Sequence, residues 1–169
     1  MPITPKFTRE DIEKRFHKYL EVIENRILAR LQYLGEKCVT HARLVPASVG
    51  FTDQTGNLRA SIGYMIFKDG ETMYDGFEGS GEDFGGDGGA LVGHANGGAA
   101  GVITGRKVAK QAATDYPRGI VLVVVAGMEY AAAVESRGRD VLTSAELLAK
   151  NEMPRLVEKI KEQVSKAMR

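Results

Sequence analysis

The residues Leu58-Arg59-Ala60-Ser61-Ile62-Gly63-Tyr64-Met65-Ile66-Phe67 alternate apolar and non-apolar or small side chains over their first half. Period two is the spacing of a β-strand, whose successive side chains point to opposite faces. Lys68-Asp69-Gly70-Glu71 follows, and an Asp-Gly pair between two such runs is the signature of a tight hairpin turn. Thr72, Met73 and Tyr74 then return as the partner strand, so residues 58–75 predict a hairpin. Two strands alone are marginal in water, so the flanking chain must supply further strands and a cover.

Upstream, residues 8–44 predict one long helix. Thr8 stands as N-cap with Asp11 three residues on. Ile12, Phe16, Leu20, Ile23, Ile27, Leu31, Leu34 and Cys38 then recur at steps of three or four, the stripe of an amphipathic helix. Gly35 offers an earlier stop. At ~1.5 Å per residue the full helix is roughly 55 Å long, more than a compact domain of this size spans, so part of its stripe is expected to meet another subunit.

Downstream, 12 of the 30 residues from Gly76 to Gly105 are glycine. Glycine is costly to order, so residues 76–118 are expected to be a flexible insertion, or one that orders on assembly. Gly119 to Gly127 (GIVLVVVAG) has the composition of a buried strand. Met128–Ser136 suggests a short helix and Arg139–Leu142 a brief strand, completing a 119–142 unit. Residues 143–169 predict a C-terminal helix, with Thr143 and Glu146 as a capping box. Its stripe runs through Leu147, Leu148, Met153, Leu156, Val157, Ile160, Val164 and Met168, and Pro154 should kink or restart it. The fold class that follows is α+β. A small, mainly antiparallel sheet packs against a long N-terminal and a C-terminal helix, with a glycine-rich insertion, all in one domain of 169 residues.

Composition narrows the function. A net charge of +1 argues against a dedicated nucleic-acid binder and opposes self-association little. Cys38 is the single cysteine, which excludes an intrachain disulfide. Residues 1–9 lack the apolar centre of a signal peptide, and no apolar run approaches the ~20 residues a membrane helix needs. Glycine-rich loops that hold phosphates fail on inspection. Gly98 to Lys107 lacks the Gly-Lys-Ser/Thr ending, and Phe84 stands where the third glycine after Gly79 and Gly81 belongs. His17, His41 and His94 have no metal-ligand spacing. Cys38 lies on the apolar stripe and has no predictable base. Glu82, Asp83 and Asp87 sit in the flexible stretch, a poor platform for acid–base chemistry. These features lead to the expectation of a non-enzyme with no cofactor, no metal and no catalytic residues. A hydrolase built on His94 or Cys38 is the remote enzyme reading.

Two local patterns remain. The first is Thr55-Gly56-Asn57-Leu58-Arg59-Ala60-Ser61-Ile62, preceded by Val45-Pro46; the second is Tyr130-Ala131-Ala132-Ala133-Val134-Glu135-Ser136-Arg137-Gly138. In this order, between a long N-terminal helix and a C-terminal one, they resemble the neck family of long-tailed bacteriophages, the tail-completion or head–tail joining proteins. The resemblance rests on Thr55, Gly56, Leu58, Arg59, Ser61 and Ile62, and on Tyr130, Ala131, Val134 and Glu135. It spans the chain except residues 76–118. Two residues separate Glu135 from Gly138 where the family usually has one, and Val141 replaces a common aromatic.

The resemblance implies a structural virion protein that forms a homo-oligomeric ring at the head–tail junction and joins or completes the tail. Its implied partners are itself and other neck or tail proteins, with DNA in the lumen the one nucleic acid met. It implies a place in the virion, and in the host cytoplasm during assembly. Thr55, Gly56, Leu58, Arg59, Ser61, Ile62, Tyr130, Val134, Glu135 and Gly138 become assembly-motif candidates, and an Arg59–Glu135 pair one way they could act. The alternative is a binding module. Lys107, Lys110 and Arg118, beside Tyr116, would contact nucleic acid or another virion protein.

Overall fold

The computed structural model describes residues 8–53, 55–77 and 98–167. Eight elements follow one another: α1 (Arg9–Leu44), α2 (Asn57–Ser61), β1 (Ile62–Lys68), β2 (Glu71–Asp75), α3 (Ala99–Ala113), β3 (Ile120–Ala126), α4 (Ala131–Ser136) and α5 (Thr143–Ala167). The fold is α+β, with a three-stranded antiparallel sheet in the order β2-β1-β3.

Helix α1 starts where its cap residues place it. The Thr8 side chain accepts from the Asp11 N–H, and the Asp11 carboxylate accepts from the Thr8 N–H at 2.9 Å. Gly35 does not end the helix. It faces the Tyr64 ring, where a Cβ would collide, so its role is close approach. Three contacts lay β1 along α1. Arg43 donates to the Ile62 carbonyl (3.1 and 2.6 Å), the Tyr64 hydroxyl donates to Glu36 (3.2 Å), and Lys68 pairs with Glu24 (2.7 Å). Burial, then the Glu36 carboxylate, push Tyr64 up to about 12, which keeps its hydroxyl a donor. At the turn, Asp69 and Gly70 both have positive φ, the two-residue hairpin geometry that an Asp-Gly pair favours.

The first strand is shorter than its alternation suggested. Residues 57–61 form a helical turn, with Gly56 in the left-handed region at φ 75° and the Asp53 carboxylate accepting from the Arg59 N–H (2.7 Å). An aspartate and a glycine just ahead of the run win locally over the period-two pattern. From Ile62 to Phe67 no residue is exposed, because helices cover both faces of the sheet. Ile62, Tyr64 and Ile66 join Leu34, Cys38 and Ala42 of α1 in the larger core, while Met65 and Phe67 join Phe77, Ala109 and Ala113 in the smaller one.

That second cover corrects the reading of residues 76–118. Residues 99–113 are a helix, not a flexible stretch. Its buried side is Gly101, Gly105, Ala109 and Ala113, every fourth residue. A Cβ on Gly101 would strike the Asn57 carbonyl oxygen, and one on Gly105 would lie 2.7 Å from the Ser61 carbonyl oxygen. These glycines allow the α3 backbone to reach α2 and the start of β1. Residues 78–97, with His94, Glu82, Asp83 and Asp87, lie outside the described residues, as does Met168.

Two further expectations are corrected at the C-terminal end. Arg139–Leu142 forms no strand, only a single bridge between Asp140 and Gly50. Thr143 and Glu146 do not cap α5. Glu135 and Asp140 do so instead, and Glu146 pairs with Lys150. Helix α5 runs through Pro154 and packs on α1, with Leu156 buried and Lys37 paired to Glu152 (3.0 Å).

Replacing a helical glycine by alanine ordinarily favours the helix by ~1 kcal/mol. Gly101→Ala should do the reverse. Its new methyl overpacks against Asn57, so urea denaturation should report a loss of roughly 1–3 kcal/mol.

Candidate functional site

The two sequence patterns fold into one corner of the molecule. Leu58, Ile62 and Ala131 are buried in the same core, and Val134 packs against it. Tyr130 lies beside the Thr55 side chain. Burial and the nearby Asp53 charge raise the Tyr130 pKa, and the Thr55 side chain works against them. Ser61 is fully buried and donates to the Leu58 carbonyl (2.8 Å). Asn57 reaches from the same turn to accept from the Gly98 N–H (3.1 Å), which ties the corner to the start of α3.

Arg59 and Glu135 do not pair with each other. The Arg59 guanidinium donates to the Arg43 carbonyl at the end of α1 and lies 5.4 Å from the Phe51 ring centroid. Arg43 beside it is buried, and that burial, then the Arg59 charge, lower its pKa. Glu135 accepts from the Leu142 N–H (3.0 Å), the Thr143 N–H (2.8 Å) and the Thr143 hydroxyl (2.7 Å). It therefore neutralises the first free N–H groups of α5 from outside the helix. Burial raises its pKa, but the bonds from Thr143, Leu142 and Val141 outweigh this and leave it below the usual carboxylate range. Gly138 ends α4, its N–H donating to the Glu135 carbonyl (2.9 Å). These motif residues build the joint between α1, β1, α4 and α5. Leu58, Ser61 and Ile62 are buried, Gly56, Arg59, Val134 and Glu135 half-buried, and Thr55, Tyr130 and Gly138 exposed.

Chemically reactive side chains are sparse among the described residues. The thiol of Cys38 is buried and donates to the Ala145 carbonyl (3.7 Å); that burial raises its pKa while Lys37 opposes. A thiolate nucleophile is disfavoured there. An open groove of about 710 Å³ lies between α1, the 45–49 turn and the start of α5. In it His41 Nε2 is 3.0 Å from the Ser144 hydroxyl. Asp140, also in the groove, gives its carboxylate to the Ser144 N–H (3.1 Å) rather than to the imidazole, so the histidine lacks the orienting acid of a triad. No group of three metal-binding side chains occurs among the described residues, and no described helix is long and apolar enough to cross a membrane.

What the molecule does present is uncovered apolar surface on regular elements. Glu24, held by Lys68 at the end of β1, is where the sheet stops covering α1. Residues 9–23 continue for about 22 Å beyond it at ~1.5 Å per residue. Every residue from Thr8 to Glu21 is exposed, including Ile12 (53%), Phe16 (60%), Tyr19 and Leu20 on one side of the helix.

The sheet edges also differ. Strand β2 is short, bulged near Met73 and closed by Glu71 and Asp75, features that blunt an edge. Strand β3 (IVLVVVA) is regular and uncharged, and pairs with β1 along one side only. Gly127 and Gly119 bond across to Ser61 and Asp69. By the alternation of antiparallel pairing, the backbone groups of Ile120, Leu122, Val124 and Ala126 therefore point outward. The basic candidates Lys107, Lys110 and Arg118 are exposed on and after α3, near the exposed Tyr116.

No family model, curated protein or solved structure matches this chain.

Glu135→Ala should lower stability by ~1 kcal/mol, the scale of a lost cap. Because the folded-state pKa of Glu135 lies below the unfolded one, its contribution is present above the ordinary carboxylate pKa. It is lost as pH falls through the lower, folded value. Thermal melts of the two proteins should therefore differ at neutral pH and converge in acid.

Proposed function

We propose that this protein is a structural component of a bacteriophage head–tail junction, that it assembles into a homo-oligomeric ring, and that it joins or completes the tail without catalysis. The single observation that carries self-assembly is the free half of α1. A soluble chain exposes Ile12, Phe16, Tyr19 and Leu20 in one row at a cost, and such rows mark contact surfaces. The uncharged edge of β3 supports the same reading, since an unprotected strand edge is a template for another chain. A nearly balanced net charge of +1 leaves little long-range repulsion between copies. The neck assignment itself rests on the order of the Thr55–Ile62 and Tyr130–Glu135 motifs. In this reading those motifs set the angle between α1, the sheet and α5, and so aim the contact surfaces. The partners are other copies of the chain and neighbouring neck or tail proteins, within the virion.

Native mass spectrometry at high protein concentration should find a discrete oligomer. Phe16→Asp with Leu20→Asp should reduce it to monomers while leaving the unfolding transition of the packed body unchanged, because both positions are exposed and lie beyond the packed half of α1. A wild-type chain that stays monomeric and never co-purifies with connector or tail components would overturn the proposal.

A second reading is supported by the outward placement of Lys107 and Lys110 on one side of α3, with Arg118 and Tyr116 beyond it. A nucleic-acid or acidic-protein surface could use them. Arg106 contributes less, since Asp75 holds it (2.7 Å). On this reading a Lys107→Ala, Lys110→Ala, Arg118→Ala variant loses DNA affinity and flattens its salt dependence. Absence of DNA binding by the wild type at low salt removes it.

A further inference from the structure

The free half of α1 carries more than an apolar row. At 100° per residue, Glu13 and His17, with Glu10 and Glu21 behind them, fall along one side of the row; Arg15, with Lys18 behind it, falls along the other, a side that Arg26 continues past the free half, and Lys14 lies opposite the row. Every one of these side chains is exposed. The next residue on the acidic side, Glu24, is already held by Lys68, so the acidic flank is free only where the helix leaves the body. Asp11 interrupts the basic side, but Thr8 binds its carboxylate in the capping box. Arg9 reaches Glu13 at 2.9 Å; with side-chain exposures of 92% and 55%, this is a surface pair that a neighbour's cation can replace.

Such a helix distinguishes the ways a second copy can lie against it. When two copies face each other row to row and run antiparallel, a two-fold axis brings acidic flank to acidic flank and basic to basic. When they run parallel about a common axis, the acidic flank of each meets the basic flank of the next. The second arrangement is the one in which every contact pairs opposite charges, as flanking charges do in parallel coiled coils. It also repeats around a closed ring of any size, because each copy uses one flank to each side. We propose that the free halves of α1 from neighbouring copies pack in parallel about the assembly axis, apolar rows together and acidic flank against basic flank. This rests on the self-assembly reading above and adds its geometry. The charge pairs select direction and register, while the Ile12, Phe16 and Leu20 side chains supply the burial.

Cross-linking through cysteines placed on α1 tests the geometry. Cys38 is buried and is left in place. Ile12→Cys should form a disulfide-linked dimer on mild oxidation, since parallel neighbours hold equivalent residues at one level. In a mixture of Ile12→Cys and Leu20→Cys chains, the 12–20 product should be absent. Reversing one flank (Glu13→Lys with Glu21→Lys) should abolish the oligomer, and adding Arg15→Glu with Lys18→Glu to the same chain should restore it. Cross-linking of position 12 only to position 20 overturns the proposal in favour of antiparallel packing. An intact wild-type oligomer with neither cross-link overturns it while leaving self-assembly standing. A wild type that is monomeric throughout overturns both.

Discussion

Strand β1 has buried side chains on both faces from Ile62 to Phe67, and the rest of the molecule is arranged around that fact. A three-stranded sheet covered on one face would send alternate residues of its central strand to water. Here α1 takes one face and α3 the other. The α3 cover needs its backbone close to Asn57 and Ser61, which Gly101 and Gly105 permit. The α1 cover is held at both ends of the strand, by Arg43 on the Ile62 carbonyl and by Lys68 on Glu24. Placing β1 therefore fixes where α1 leaves the sheet. The free half of that helix is the direct result.

Much of this was legible in the sequence, and the failures have definite causes. The Thr8–Asp11 cap, the heptad-like stripe of α1 and the Asp69-Gly70 turn are local signals, complete within a few residues, and the structure has all three. Helix α3 was hidden because it begins inside the 76–105 stretch, where 12 of 30 residues are glycine, although only Gly101 and Gly105 belong to the helix. Its spacing was nevertheless visible. Gly101, Gly105, Ala109 and Ala113 recur every fourth residue, a buried small-residue face rather than a breaker pattern. Residues 57–61 mislead for the opposite reason. Their alternation was real, but Asp53 and Gly56 outside the run favour a helical turn. The caps of α5 were beyond reach, because Glu135 is eight residues away from Thr143 and acts only once α4 has folded back.

The candidate site was legible in a different sense. The residues that carry the family resemblance are assembly-motif candidates, and an Arg59–Glu135 pair, within a subunit or across subunits, is one way they could act. Within the chain these two do not pair but bond to backbone groups: Arg59 to the end of α1, Glu135 to the start of α5. Such residues are recognisable as patterns because backbone geometry at a joint tolerates few alternatives. Contact between subunits asks less of any one residue. It asks for a row of exposed apolar side chains on a rigid element, and many sequences provide that. The stripe of α1 announced itself by its length, while β3 resembled an ordinary buried strand until its outer neighbour proved absent among the described residues.

The two halves of α1 are stabilised differently. Residues from Leu28 to Ala42 bury Leu28, Leu34, Cys38, Val39 and Ala42 against the sheet and α5. Residues 9–23 gain little from the body, and an isolated helix of that length is marginal in water. It forms as an extension of a helix already nucleated by the packed half, closed at its far end by Thr8 and Asp11. Extension from an existing nucleus adds one hydrogen bond per residue fixed, so the balance at each step is close to even. Any partner that covers Ile12, Phe16 and Leu20 therefore adds its burial energy to a segment already in the right conformation, with little ordering cost left to meet. Charges at the flanks then matter more than their small individual energies suggest. In the parallel packing proposed above they would decide which of several equally apolar arrangements is adopted, where a row without them would accept a neighbour in either direction.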